Sequence, residues 1–283
     1  MGATKITVLC ENRAGGLFGI TGEHGFAALI EKNGEKLLMD TGQGMTIQGN
    51  AIALGVDLSS INKIALSHGH YDHTGGLPFV LFPPRNVEII AHPDVFDQKY
   101  VEIDSPQGKQ RHFIGIKFQK EFLESGLGAK FSMKKEYQEI SPGIFFSGEI
   151  PRRTEFETSD PMLKARRGDE FINDPLLDDA SLLIETDSGP VILTGCAHSG
   201  IVNIMKHFQK KSGHDKFHAV IGGTHLGFMG VSNKLEKSMD AFDEFNLDVI
   251  AVSHCTGNEA AAICYNRFKE RFSFANAGWT MTF

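Results

Sequence analysis

The chain has 283 residues, 41% of them hydrophobic and 22% charged, a balance that suits a water-soluble globular protein with a core large enough to need no staples. Its formal net charge of −7 argues against nucleic-acid binding by bulk positive charge. No apolar run approaches the roughly 20 residues of a bilayer-spanning helix. The first residues lack the basic and apolar stretches of a secretory signal. Four cysteines without regular spacing do not make a disulfide framework, so a reducing cytoplasm is the expected location.

In chain order, Thr4 to Leu9 and Ala27 to Glu31 predict strands, and Asn33-Gly34 predicts a hairpin turn into Lys36 to Met39. Asp40-Thr41-Gly42 ends that strand at a sharp corner. A helix is expected over Thr46 to Leu54, then strands over Ile61 to Leu66 and Val87 to Ala91. Residues 94–137 show no clear period and read as an insertion or lid with some helix. Ile144 to Ser147, Ala180 to Glu185 and Val191 to Thr194 predict further strands, the last two joined by Asp187-Ser188-Gly189.

Ile201, Ile204, Met205 and Phe208 share one helix face. Ala219 to Ile221 and Val249 to Val252 read as buried strands. Two capping boxes, Asn233 with Glu236 and Thr256 with Glu259, predict helix starts. The second helix would turn Ala261, Cys264, Tyr265 and Phe268 to one side. Alternating strand and helix signals without repeat or linker predict one α/β domain over residues 1–283.

Twelve histidines stand against one tryptophan, and half of them are gathered. From Ser67 the chain reads S-H-G-H-Y-D-H-T-G-G directly after a predicted strand. Alternation puts His68 and His70 on one side, and the following turn can aim Asp72 and His73 elsewhere, so one loop could serve two ions. Imidazole and carboxylate suit zinc, manganese or iron. His198, His225 and His254 sit at three later strand-to-helix junctions, where α/β sheets collect ligands. His24, His92, His112, His207, His214 and His218 lack ligand spacing and read as surface or structural.

The H-x-H-x-D-H run resembles the signature of the metallo-β-lactamase superfamily, and the resemblance spans nearly the whole chain. It implies a four-layer αββα sandwich of two mixed sheets with metal along one edge. Asp40 would then buttress the metal loop, and His254 would match the last metal histidine. Cys196 falls where most members have a bridging aspartate, in T-G-C rather than T-G-D, and the third motif's histidine has no match, leaving His198 to supply that nitrogen. One or two divalent ions are implied, zinc first, with manganese, iron or magnesium as alternatives. His68, His70 and His198 would hold one; Asp72, His73 and His254 the other.

S-G-E-I-P-R (Ser147 to Arg152), T-G-C-A-H-S-G, G-G-T-H-L and S-H-C-T-G are similar to the branch that holds an archaeal dihydropterin-methyl-aminobenzene-ribofuranosyl-phosphate synthase. In that motif Glu149 and Arg152 are candidate substrate contacts, Arg152 for a phosphate.

A divalent ion lowers the pKa of coordinated water from roughly 15.7 to about 7. The expected activity is therefore hydrolysis of a phosphorylated or ester-type small molecule by metal-bound hydroxide. Asp72 would orient or deprotonate, and His225 would contact substrate or protonate the leaving group. The alternative is a transferase joining a dihydropterin-methyl diphosphate to an aminobenzene ribofuranosyl phosphate, with residues 94–137 closing over it to exclude water. A non-catalytic module with a degenerate site rests on Cys196 alone. The expected partner is a small, phosphorylated molecule, with neither nucleic acid nor membrane involved. Oligomeric state is not legible in the sequence.

Overall fold

The structure, a computed structural model, describes residues 3–16, 18–227 and 233–283. The chain opens with β1 (Lys5–Cys10), β2 (Ala27–Lys32) and β3 (Glu35–Met39), an antiparallel set. The Asn33-Gly34 turn has φ of 52° and 80°, the left-handed pair that matches the twist of a tight hairpin. Then follow α1 (Ile47–Ala53), β4 (Lys63–Ala65), the short helices α2 (Tyr71–Thr74) and α3 (Leu77–Leu81), and β5 (Val87–Ala91). The middle of the chain supplies β6 (Lys99–Ser105), β7 (Gly108–Phe113), β8 (Ala129–Met133), β9 (Gln138–Ser141), β10 (Ile144–Phe146), β11 (Leu163–Arg167) and β12 (Glu170–Asn173). The last part alternates: β13 (Ser181–Ile184), β14 (Val191–Thr194), α4 (Ile201–Ser212), β15 (Ala219–Gly223), α5 (Asn233–Glu244), β16 (Val249–Ser253), α6 (Asn258–Phe268), β17 (Phe272–Phe274) and β18 (Thr280–Thr282).

Among the described residues these strands make two seven-stranded mixed sheets, β18-β1-β2-β3-β4-β5-β8 and β17-β16-β15-β14-β13-β10-β9, and a four-stranded sheet, β12-β11-β6-β7. The alternation of side chains decides how they stack. On β2, Ala28 and Ile30 enter the core between the large sheets, while Ala27 and Leu29 pack outward with Ile47 of α1 and Leu77, Val80 and Leu81 of α3. On β14, Val191 and Leu193 face inward and Ile192 outward, toward α4, α5 and α6. Helices cover both outer faces, which gives the αββα sandwich.

The helix faces follow the apolar spacing. Ile201, Ile204, Met205 and Phe208 of α4 are fully buried, each contributing about 1.5–3 kcal/mol, and this outweighs the marginal stability of an isolated 12-residue helix. On α6, Ala261, Cys264 and Phe268 are buried, but Tyr265 is 49% exposed.

Two readings change. Residues 94–137, read as insertion or lid with some helix, do hold a helical turn at Phe122–Gly126, but also three strands that were not expected: the β6–β7 hairpin joins the small sheet and β8 is an edge of the first large sheet. β7 is exposed along its whole length, so no alternation marks it. Thr256 does not cap α6, whose N-cap is Gly257 without a side-chain bond. Its hydroxyl instead meets Thr224 at both Oγ1 (2.9 Å) and backbone N (3.2 Å), tying the ends of β15 and β16 together. α5 begins at Asn233 itself, and the residue before it lies outside the described residues.

Candidate metal centre

Parallel pairing of β3, β4, β5 and of β14, β15, β16 brings the carboxyl ends of both sets to one edge of the sandwich. The Ser67–His73 loop leaves β4 there. Asp40, fully buried and at φ 58° just after β3, organises it. Its Oδ1 accepts the Ser67 backbone N–H at 2.7 Å; its Oδ2 accepts Ser67 Oγ at 2.6 Å and His73 Nδ1 at 2.7 Å. Gly195, at the end of β14, is needed beside this clamp, since a Cβ there would lie 2.2 Å from Ser67 Oγ and 2.8 Å from Asp40 Oδ2.

The hydrogen-bond partners assign the tautomers. A proton on His73 Nδ1 faces Asp40 and leaves a lone pair on Nε2. Ser67 Oγ, having donated to Asp40, accepts from His68 Nδ1 at 2.9 Å, which frees His68 Nε2. Asn12 Oδ1 accepts from His254 Nδ1 at 2.8 Å, which frees His254 Nε2. These lone pairs converge. His68 Nε2 lies 2.9 Å from His70 Nδ1, and His73 Nε2 lies 3.2 Å from both His254 Nε2 and Cys196 Sγ. Two donors on one tetrahedral ion with 2.0–2.1 Å bonds would stand roughly 3.3 Å apart.

The second sheet completes the set. Cys196 and His198 follow β14, His225 follows β15 and His254 follows β16. Ala197, His225 and His254, like Asp40, are held at positive φ. Such backbone costs about 1–3 kcal/mol per residue and clusters where function needs a fixed aim. Donor atoms of His68, His70 and His198 lie within 4.8 Å of one another, as do those of His68, His73 and Cys196 and those of His24, Asp72 and His254. Asp72 Oδ2 is 3.3 Å from His254 Nε2, 3.2 Å from His24 Nε2 and 3.7 Å from His73 Nε2.

This donor set fits a divalent ion. His70 Nε2 and both ring nitrogens of His198 are buried without a hydrogen-bond partner, a costly arrangement unless something else satisfies them. Burial, then neighbouring cationic groups, pushes His68, His70 and His198 well below the usual histidine range, so they are neutral, as ligands must be. For Asp72 burial acts in the opposite sense, yet His73, His24 and His254 hold it well below the carboxylate range. For His73 burial is likewise outweighed, by Asp40 and then Asp72, and its pKa rises to about 9, so this ring has to give up its Nε2 proton on taking a metal ion. Burial and the neighbouring Cys255 push the Cys196 thiol well above its ordinary value, so a thiolate there needs a cation beside it.

A cavity of about 230 Å³ stands over these donors. His70, Asp72, Cys196, His198 and His254 form its floor; Val101, Ile114, Met162 and Leu163, on and beside the small sheet, form an apolar wall. His225 also lines it, 4.4 Å from His198 between ring centroids and 4.0 Å from Asp160 Oδ2 at Nε2.

Glu149 and Arg152, expected as substrate contacts, do not line the cavity. Glu149 accepts from His92 Nε2 at 3.1 Å and pairs with Lys135 at 3.0 Å. Arg152 spends its guanidinium on the carbonyls of Pro175 (2.6 Å) and His198 (3.2 Å), so it positions the His198 loop. His24, read as surface or structural, joins Asp72 and His254. A lone histidine in the irregular segment between β1 and β2 carries no spacing signal.

A buried network under the loop also escaped the sequence reading. Lys99 Nζ reaches Asp178 Oδ1 at 2.8 Å and Asp174 Oδ2 at 3.1 Å, while Asp178 Oδ2 accepts the Gly69 backbone N–H at 2.8 Å. Gly69 has no room for a side chain, its Cβ position being 2.0 Å from Val95 O.

A family model for the metallo-beta-lactamase superfamily matches residues 20–254. The chain belongs to this superfamily. Within it, the chain is 33% identical over 290 residues to the 7,8-dihydropterin-6-methyl-4-(beta-D-ribofuranosyl)-aminobenzene-5'-phosphate synthase of Methanocaldococcus jannaschii, covering 99% of this chain and 96% of that one. An uncharacterized protein of the same archaeon is also 33% identical, over 90% of this chain and 91% of its own. Among solved structures, Tm1679, described as a metal-dependent hydrolase of the beta-lactamase superfamily, superposes with a TM-score of 0.80 at 27% identity over 98% of both chains. Zn(2+)-bound PqqB from Methylobacterium extorquens shares the fold, with a TM-score of 0.57 at 13% identity over 98% of this chain and 99% of that one. The superfamily's sandwich is thus the one described above, and the matched span includes the Ser67–His73 loop.

Proposed function

We propose that the protein is a metal-dependent hydrolase of a phosphorylated or ester-type small molecule. One or two divalent ions, zinc first, would be held by His68, His70 and His198 and by Asp72, His73 and His254. The observation that carries this reading is the convergence of histidine lone pairs, preset by Asp40, Ser67 and Asn12, at and just beneath the floor of one cavity. Cys196 lies between the two donor groups and His24 beside the second, so both are additional ligand candidates. A divalent ion bound there supplies Lewis acidity, acidifying water and neutralising the charge that develops on the attacked group.

The chain's own residues do the rest. Asp72, ionised at neutral pH by its histidine neighbours, can hold or accept a proton at Oδ2. His225, on the cavity wall beside Asp160, is placed to give a proton to a leaving group. Val101, Ile114, Met162 and Leu163 exclude water on one side and favour a flat or apolar body on the substrate. The 27% identity to Tm1679 along both chains supports hydrolysis.

A second reading has its own support. The 33% identity to the dihydropterin synthase runs along both whole chains. In that reaction the same floor would receive a diphosphate leaving group while an arylamine acceptor attacks, with water kept out. Assays on metal-loaded protein separate the two. Metal-dependent turnover of p-nitrophenyl phosphate or its diester without acceptor supports the hydrolase. Diphosphate release from 6-hydroxymethyl-dihydropterin diphosphate only when an arylamine is present supports the transferase. Full metal occupancy with neither activity would sink both.

A further inference from the structure

Beside the metal donors the cavity continues into a second one of about 320 Å³, the two sharing Asp160, His198 and His225. Among the described residues its remaining wall is Phe156, Thr158, Ser159, Asn233 and Lys234, none of which the reading above uses. Lys234 lies in the first turn of α5, and its Nζ donates to the His225 carbonyl at 3.0 Å. An ammonium has three N–H bonds, so two remain to be directed into the cavity.

Among the described lining residues Lys234 is the cation and Asp160 the carboxylate. Burial lowers the Lys234 ammonium below the usual lysine range, and nearby Glu157, Cys255 and Asp160 only partly oppose it. Those carboxylates already have hydrogen-bond partners: Glu157 accepts from the backbone of Val202 and Asn203 and from Thr154 Oγ1, each at 2.8 Å, and Asp160 accepts from Met162 N at 2.8 Å. Glu157 thereby anchors residues 154–160 to the start of α4, so Thr158 and Ser159 are presented from a fixed segment. A half-buried ammonium sharing one cavity with two hydroxyls and an amide offers donor chemistry for the several oxygens of a phosphate monoester.

We propose that this side cavity binds a remote phosphate of the same substrate whose reacting group lies on the metal donors, with Lys234, Ser159 and Asn233 as its recognition groups. The substrate class is then a small molecule carrying phosphate chemistry at both ends, spanning from the metal floor past His225 to Lys234. Because Lys234 also holds the His225 carbonyl, occupation of the side cavity steadies the histidine that faces the reaction. The proposal rests on the metal-dependent reading above for the position of the reacting end.

The test is calorimetric titration of the metal-loaded protein with butyl phosphate and with propane-1,3-diol, butane-1,4-diol and pentane-1,5-diol bisphosphates. One chain length is expected to bind at least about tenfold more tightly than the monophosphate, since the second phosphate binds intramolecularly. Lys234→Met should abolish that gain and Lys234→Arg should keep most of it. Lys234→Gln serves if the methionine variant does not melt cooperatively. A gain that survives Lys234→Met overturns the proposal. So does the absence of any favoured length, the result expected of a site for free phosphate. These titrations need no turnover, so a chain-length preference without phosphoester hydrolysis would count against the reaction assigned above and not against this subsite.

Discussion

Lys99→Met tests whether the metal loop is supported from beneath by charge. The Lys99 side chain is 1% exposed and its partners Asp174 and Asp178 are 3% and 0% exposed. Removing one member of a buried ion pair leaves an uncompensated charge and costs roughly 3–5 kcal/mol, far more than the pair contributes relative to an apolar replacement of all its members. Methionine nearly fills the space, so little of the loss would come from a cavity. With about 2–4 °C per kcal/mol for a chain of this order, the melting temperature should fall by roughly 6–20 °C. Asp178 also holds the Gly69 N–H, so metal affinity should fall with it. Combining Lys99→Met with Asp174→Asn and Asp178→Asn should recover part of the stability, because the stranded charges go too. The readout is thermal and denaturant unfolding of all the variants, with metal content measured in parallel. A loss below about 1 kcal/mol in the single variant, or no recovery in the combined one, would refute the argument.

Asp40→Asn removes an acceptor shared by Ser67 and His73, and metal affinity should drop about 10–100-fold in competition with a chromophoric chelator; unchanged affinity would mean that the ring orientations are set elsewhere. Gly195→Ala forces a methyl into Ser67 Oγ and should destabilise by about 1–3 kcal/mol in denaturant melts, with a neutral result contradicting the close approach. His70→Ala should lose metal and activity together while the circular dichroism spectrum is kept, and full metal retention would show the donors to be misplaced. His24→Ala should release its more weakly held ion earlier in a chelator titration than the unaltered protein does; an identical release curve would remove His24 from the ligand set.

The parts legible in the sequence are those where local pattern and tertiary role coincide. Short apolar β-type runs marked Ala27–Lys32 and Val191–Thr194 nearly to the residue, and the loop histidines were visible because four donors fall within six positions. The β6–β7 hairpin was hidden because both its faces meet solvent or neighbours of mixed polarity, which erases a period of two. His24 and Lys99 were hidden for another reason. Each is a single residue whose meaning comes from partners more than 45 positions away, Asp72 and the Asp174–Asp178 pair. Thr256 shows the converse: a good local capping pattern was displaced because its hydroxyl found Thr224 on the adjacent strand end. Arg152 was placed at the site by its motif, and is beside it, but its guanidinium is turned to the carbonyls of Pro175 and His198 and does not line the cavity.

The donors come in two sets from far-apart stretches of chain: His68 to His73 leave the first sheet, while Cys196, His198 and His254 leave the second. An ion gripped by both sets is a cross-link as well as a reagent. It ties together segments separated by more than a hundred residues, closing a long loop whose entropy the unfolded chain would otherwise regain. Chelation should therefore loosen the seam between the sheets along the edge where the substrate enters, and the protein's grip on its metal and its resistance to unfolding should rise and fall together.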